Sequence, residues 1–119
     1  MNIKSFQKYL DRDGGCVHCG ETEAVSPHHR SNRGMGGSKS KDVPSNIIVI
    51  CSQMNLLMEA SEKHATMARL FGWKLRPWED PAEVAFFHQV RGAWFYADDK
   101  FGLTEKETKA VPAELKEYF

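Results

Sequence analysis

The feature that most constrains this chain is the run Ile47-Ile48-Val49-Ile50, because four consecutive β-branched residues favour a strand. Residues 24–29 form a shorter extended stretch that predicts a partner strand, with residues 30–45 connecting the two. A helical pattern then runs from about Met54 to Phe71, where Gly72 provides a stop signal. The sequence therefore predicts a β-β-α unit with polar residues facing its centre.

Polar residues able to bind metal or transfer protons occupy defined places in this unit. His28 and His29 end the first strand, Asn46 opens the second, and Asn55 lies nine residues further on, in the predicted helix. Adjacent strand residues point to opposite faces, so the two histidines need not share one role. Each residue also has an ordinary interpretation, as a surface histidine near a turn or as a turn asparagine. The combined spacing favours a functional site.

The connecting segment is rich in glycine and in basic residues. Three glycines within four residues permit positive φ and close approach of the backbone to a partner, although a plain flexible surface loop has the same composition. The net charge of the chain is zero, so any affinity for nucleic acid is expected to be modest and salt-sensitive. The candidates for contacts with DNA phosphates are Arg30, Arg33, Lys39 and Lys41.

Taken together, the His-His pair, Gly36-Gly37, Asn46 and the spacing from Asn46 to Asn55 resemble the pattern of the HNH endonucleases, or ββα-metal nucleases. The stretch His-His-Arg-x-x-Arg-Gly-Met-Gly-Gly-Ser is especially similar to small HNH proteins encoded by bacteriophages. The resemblance covers residues 12 to about 75 and implies an α+β fold with a ββα-metal (HNH/His-Me finger) core. It also implies that His28 binds a metal ion, that His29 activates water, and that Asn46 clamps the loop backbone and so aims His29.

The chain departs from this family pattern in the helix, where Asn55 stands in place of the usual metal-binding histidine. Some members, including phage junction-resolving enzymes, use asparagine there. Glu59 lies one helical turn after Asn55, where related bacterial DNase toxins carry a second helix ligand. The alternative for Glu59 is a solvated helix carboxylate. Imidazole, amide and carboxylate ligands together favour one divalent cation of the Mg²⁺ or Mn²⁺ type.

The cysteines indicate a second, structural metal site. Cys16-Val17-His18-Cys19 supplies a Cys-x-x-Cys pair that can point two sulfurs at one ion. Many HNH proteins hold the fold with two such pairs, but here the second reads Cys51-Ser52-Gln53-Met54, and methionine is a poor zinc ligand. Two interpretations follow: a structural zinc held by Cys16, Cys19, Cys51 and an unidentified fourth group, or a relic site packed without metal.

The length of 119 residues predicts a single domain, divided into the HNH core at 12–75, an accessory hairpin at 76–103 and a tail at 104–119. Residues 3–11 predict a short amphipathic helix before the core. The tail predicts one or two weak helical turns, for which Thr104 and Glu107 form a capping box.

The hairpin is predicted from two aromatic runs, residues 84–88 and 93–97, that flank Gln89-Val90-Arg91-Gly92. Their aromatic side chains are core candidates, with stacking on nucleic acid as the alternative. No run approaches the ~20 apolar residues of a membrane helix, and the N-terminus has no signal-peptide pattern. Three cysteines suit a reducing compartment, so we expect a cytoplasmic protein, in the host cell if phage-encoded.

The function expected from the resemblance is metal-dependent hydrolysis of phosphodiester bonds in double-stranded DNA. One active site per chain implies nicking. Two alternatives are a catalytically decayed HNH scaffold that only binds DNA, and a structure-selective nuclease for branched DNA.

Overall fold

The computed structural model describes residues 1–31 and 41–107. Within these residues the chain is a small α+β fold with three α-helices and two antiparallel sheets, which confirms the predicted class. A 3-10 turn, Pro44–Asn46, leads into the second strand. The helices are α1 (Ile3–Asp13), α2 (Ser52–Ala60) and α3 (Glu62–Leu70), and the strands are β1 (Val25–His29), β2 (Ile47–Cys51), β3 (Phe86–His88), β4 (Ala93–Ala97) and β5 (Leu103–Lys106).

The first sheet pairs β1 with β2 in antiparallel register, with Pro27 opposite Val49. Proline cannot donate to a ladder, and the sequence predicts that position 27 faces away from its partner. The structure agrees, because the backbone N–H and C=O groups of Val49 point away from β1 and so need no partner at Pro27. Its N–H donates to Asp13 Oδ2 at 3.0 Å and its C=O accepts from Val17 N–H at 3.0 Å.

Strand β2 is buried on both faces, which explains its continuous apolar sequence. Ile48 and Ile50 belong to the main core with α2 and α3, whereas Ile47 and Val49 pack with Tyr9 of α1 in a second cluster. Each such side chain contributes roughly 1.5–3 kcal/mol by full burial. The strand therefore contributes to both apolar clusters of the described residues.

The single helix predicted from Met54 to Phe71 is wrong, because Ser61 divides it into α2 and α3. Ser61 is extended (φ −127°, ψ 124°), and its N–H donates to Leu57 C=O at the end of α2. Its hydroxyl accepts from His64 N–H at 3.4 Å and so caps α3. The break changes the buried face, so that the apolar residues Ala60 and Leu70 are exposed. The buried residues are Met54, Met58, Met67, Ala68 and Phe71.

The second sheet has the order β3-β4-β5 and contains the predicted hairpin, in which Phe86 pairs with Phe95 and His88 with Ala93. The helical turn and capping box predicted at 104–107 are wrong, because Thr104 lies in β5 opposite Tyr96. Asp98 Oδ1 turns the chain before β5 by accepting from the N–H groups of Lys100 and Gly102. Residues 108–119 of the predicted tail lie outside the described residues.

Four aromatic side chains of the hairpin belong to the core, in agreement with the favoured interpretation: Phe86 and Phe87 are buried in it, and Trp94 and Phe95 pack against it. Phe71 stacks on Trp73 and on Phe87, with ring centroids 5.1 and 5.5 Å apart, and Trp94 lies 5.4 Å from Phe87. Among the helices of the described segments, none has the length and apolarity needed to cross a bilayer.

His88 in β3 makes unfolding sensitive to pH. The side chain is buried; its Nε2–H donates to Asp13 C=O at 2.6 Å, and Nδ1 accepts from Arg91 N–H at 3.2 Å. Burial lowers the pKa of His88, with the Asp13 carbonyl acting in the opposite direction. The unfolded chain therefore binds the proton more readily than the folded chain. The contribution of His88 to stability is complete above pH ~6.5, its unfolded pKa, and is lost as the pH falls towards its pKa in the folded protein.

We predict that the free energy of unfolding falls between pH 7 and pH 5, and that the decrease is smaller in His88→Gln. Glutamine keeps a donor and an acceptor but does not titrate. His18 and His28, whose pKa values burial also lowers, act in the same direction, so the difference between the two proteins isolates His88. Urea denaturation across this pH range is the measurement, and parallel pH profiles for the two proteins would contradict the assignment.

Candidate active site and metal centre

His28 and His29 lie on opposite faces of β1. His28 pairs in register with Ile48 of the main core, whereas His29 pairs with Ile47, which packs towards α1. The alternation follows from the strand itself, as the sequence predicts. The strand therefore separates the two imidazoles, and each has its own surroundings.

His28 is held in one tautomer. Its Nε2 lies 2.8 Å from the carbonyl oxygen of Trp73, and since a carbonyl only accepts, the ring proton sits on Nε2. Burial lowers the pKa of His28, with the Trp73 carbonyl opposing that shift. The ring is thus neutral near pH 7, with its lone pair on Nδ1. Metal-binding histidines in proteins usually hold their other ring N–H in this way.

The two predicted ligands on α2 differ in exposure. The carboxylate of Glu59 acts electrostatically on His28, in the direction of a higher pKa and against the larger effect of burial. Asn55 precedes Glu59 by one turn on the same helix face and is half-buried, whereas Glu59 is exposed. In the described segments, no group of three or more His, Cys, Asp or Glu side chains converges around His28.

His29 pairs with an aspartate that the sequence reasoning missed. Its Nε2 lies 2.6 Å from Asp42 Oδ1, close enough for an ion pair if the ring is protonated. Both residues line an open cleft of about 570 Å³, here called the His29 cleft, beside Lys8, Tyr9 and Phe101. The available signal was Asp42 itself, the first acid after the basic segment, but nothing local indicates that it folds back onto β1.

Asn46 makes the clamp that the resemblance implies. The side chain is fully buried, and its Oδ1 accepts from Ser31 N–H at 2.8 Å. Its Nδ2 donates to the carbonyls of Ser31 and Lys41, at 3.1 and 2.9 Å. One amide thus fixes the chain two residues beyond His29 and just before Asp42.

Two of the four cations predicted to contact DNA phosphates, Arg30 and Lys41, lie in the described structure, and both bond to groups of the protein itself. Arg30 is wrong as a phosphate contact, because it is only 1% exposed and donates to backbone carbonyls inside the protein. Burial lowers the pKa of its guanidinium to about 9, which still leaves it charged at neutral pH. Lys41 is half-buried and its ammonium donates to the Ser31 hydroxyl at 2.8 Å. Arg33 and Lys39 lie outside the described residues.

The three predicted zinc cysteines come together and gain a fourth neighbour, His18. The potential ligand atoms of Cys16, His18, Cys19 and Cys51, here called the Cys/His cluster, all lie within 4.8 Å of one another and could hold a metal ion. Cys16 and Cys51 are buried and Cys19 is exposed. The sequence signal for His18 was its place inside the Cys-x-x-Cys turn, which it shares with two ligands.

The sulfur of Cys16 is surrounded by backbone donors. It accepts from His18 N–H at 3.3 Å and from Cys51 N–H at 3.1 Å. Burial nevertheless raises the pKa of the Cys16 thiol to about 12, although these N–H donors lower it. A bound cation would therefore have to displace the proton, as metal binding at thiols generally does.

Comparison with known proteins adds no relative to these observations: no protein-family model, curated protein or solved structure matches the chain. The candidate sites are therefore described from the residues of this chain alone. Those residues form two separate sites, an imidazole-carboxylate region around β1 and a thiol-imidazole cluster at the opposite end of β2.

We predict that Arg30→Met lowers the free energy of unfolding by at least ~3 kcal/mol, because four carbonyls lose their buried donor. Arg69→Met, at an exposed position in the last turn of α3, is the matched control and should cost below ~1 kcal/mol. Urea denaturation followed by circular dichroism measures both. Equal stability of the two variants would show that the buried hydrogen bonds of Arg30 do not stabilise the fold.

Proposed function

We propose that this chain is a metal-dependent endonuclease of the HNH type that nicks double-stranded DNA. The observation that carries the proposal is the Asn46 clamp. Asn46 occupies the family's asparagine position and holds, on both sides, the segment that follows the His28-His29 pair. The order of a two-stranded antiparallel sheet followed by a helix is also that of a ββα-metal core. We place its action in the cytoplasm, the host's if the chain is phage-encoded.

In this proposal His28, Asn55 and Glu59 hold one divalent cation. The fixed Nε2–H of His28 leaves Nδ1 to bind a metal, and Glu59 lies within electrostatic range of that ring. The oxygen-rich set favours Mg²⁺ or Mn²⁺ over zinc. When bound, such an ion stabilises the charge that develops on the phosphate and the leaving 3′ oxygen.

His29 is the proposed general base, and Asp42 is its positioning residue. Asp42 keeps the ring proton on Nε2, so Nδ1 can take a proton from the attacking water. In this proposal the ion at His28 and the base at His29 act on the same phosphodiester at the end of β1. The buried Arg30 supplies no phosphate contact in this arrangement.

Two alternatives remain within the same scaffold. A non-catalytic DNA-binding module is favoured by Asn55 in place of histidine and by the absence, within residues 1–31 and 41–107, of three converging His, Cys, Asp or Glu side chains at His28. A structure-selective nuclease would cut branched DNA in preference to linear duplex. Nicking of supercoiled plasmid across Mg²⁺, Mn²⁺, Ni²⁺ and Zn²⁺ separates catalysis from binding alone, and a four-way junction tests structure selection.

We predict that His29→Ala lowers the nicking rate by about 10²–10⁴-fold with little change in DNA affinity, because a general base acts on the chemical step. Asp42→Asn should lower the turnover by roughly 10–100-fold through misoriented His29, with partial recovery in Asp42→Glu. His64→Ala, a half-buried histidine of α3, is the control. Plasmid nicking under saturating protein gives the rates, and fluorescence anisotropy gives the affinity. Wild-type turnover in pure His29→Ala protein would remove His29 from the mechanism.

A further prediction concerns the departure from the family at Asn55. An amide oxygen is a hard, weak ligand, so Asn55→Ala should abolish nicking at ordinary metal concentrations, with partial rescue by excess Mn²⁺. Asn55→His should shift the activity towards Ni²⁺, since imidazole suits that ion. Gln53→Ala is the matched amide control, exposed near the start of the same helix. Metal titrations of nicking compare the four proteins, and unchanged metal dependence in Asn55→Ala would show that Asn55 is no ligand.

A further inference from the structure

We propose that the Cys/His cluster binds one zinc ion and that His18, not the residue at position 54, is the fourth ligand. The site would be a tetrahedral Cys3His centre with one histidine inside the Cys-x-x-Cys turn. It lies apart from the proposed nuclease residues, and its role is structural.

The distances fit one small ion. Zinc binds sulfur at ~2.3 Å and imidazole nitrogen at ~2.0–2.1 Å, so the ligand atoms of a tetrahedral site lie roughly 3.5–4 Å apart. The four atoms here lie within 4.8 Å of one another, so shifts of about 1 Å or less would bring them into range. Cys3His is among the usual ligand sets of structural zinc.

His18 carries the independent evidence for its role. Its Nδ1 is buried and has no hydrogen-bond partner in the described structure, which costs roughly 1–3 kcal/mol for a polar atom. Binding an ion through Nδ1 would satisfy it. The ring is already oriented, because it stands edge-on against Trp73 at a centroid distance of 5.7 Å and an angle of 86°.

Backbone N–H groups around the cluster donate to the cysteine sulfurs and would stabilise thiolates there. Cys51 is the N-cap of α2, and its sulfur accepts from Met54 N–H at 3.4 Å, where the positive end of the helix favours negative charge. Cys16 accepts from two further N–H groups, those of His18 and Cys51. Met54 thus supports the site through its backbone, while its thioether is the poorer ligand.

A small cavity beside the cluster gives an ion access. Its volume is about 160 Å³, and its lining includes His18, Cys19 and Cys51. The exposed Cys19 is at the surface, whereas Cys16 lies fully buried behind it. An ion bound here would tie residues 16–19 to the junction of β2 and α2, two parts of the chain more than thirty residues apart.

The test is a metal-binding experiment on the full chain that needs no DNA. Elemental analysis of protein purified under reducing conditions should find about one zinc per chain. Titration of the apoprotein with Co²⁺ should give the intense visible absorption of a tetrahedral thiolate site, and competition with zinc then gives the affinity.

Two variants identify the fourth ligand. His18→Ala should weaken zinc binding at least tenfold, since even indirect partners of a metal site contribute roughly 10–100-fold. Met54→Leu keeps the backbone N–H and should bind like wild type, and His64→Ala controls for loss of a nearby imidazole. Because Cys16→Ser is at risk of not folding, Cys19→Ser at the exposed position tests the thiol contribution.

The proposal is overturned if folded, reduced protein binds neither zinc nor Co²⁺, or if the three cysteines are found in a disulfide under those conditions. It is also overturned if Met54→Leu weakens binding and His18→Ala does not, because the helix would then supply the ligand. None of these outcomes depends on nicking, so the zinc site and the nuclease proposal stand or fall separately.

Discussion

The buried guanidinium of Arg30 is the interaction on which the arrangement of the two sheets depends. It donates to the carbonyl of Ser45 in the 3-10 turn before β2, and to those of Gly72, Pro81 and Val84 in the irregular segment between α3 and β3. A buried cation is costly unless it is hydrogen-bonded, and carbonyls outside regular ladders need donors. One side chain meets both requirements. Gly72 is required at this junction, because its φ is +75° and a Cβ there would collide with the carbonyl oxygen of Ala85.

Trp73 connects the two candidate sites. Its ring contacts His18 of the Cys/His cluster, its Nε1–H donates to Phe87 C=O at 2.8 Å, and its own carbonyl accepts from His28. The residue is fully buried, so its position is defined by packing on all sides. One buried residue therefore contacts both candidate sites, His18 through its ring and His28 through its backbone carbonyl.

Local patterns in the sequence predicted much of this fold. The β-branched run gave β2, its proline-containing partner gave β1, and the two aromatic runs gave the β3-β4 hairpin. The helix break at Ser61 was missed because the apolar spacing continues across it while a single hydroxyl caps the second helix. Strand β5 was missed because it exists through pairing with β4, a contact that propensity does not show.

The sequence predicted several residues of the candidate sites but few of the contacts that these residues make. Asn46 clamps the chain as the family pattern implies, and the three cysteines meet. Arg30 was misassigned because a basic residue beside histidines looks the same in sequence whether it faces solvent or carbonyls from residues 45–84. His18 and Asp42 were overlooked for the same reason, since their partners are set by tertiary structure.

The hydrogen bonds of Asn46 fix two points of the chain, Ser31 and Lys41, that flank residues 32–40. Ser31 and Lys41 are joined by the amide of Asn46 and by the bond from Lys41 Nζ to Ser31 Oγ, so both ends of residues 32–40 are anchored by the scaffold itself. The entropy cost of joining two anchored chain ends grows slowly with the number of residues between them, at ~0.6 kcal/mol for each doubling. Changing the number of residues between Ser31 and Lys41 would therefore cost little closure entropy, because the scaffold itself holds both anchors.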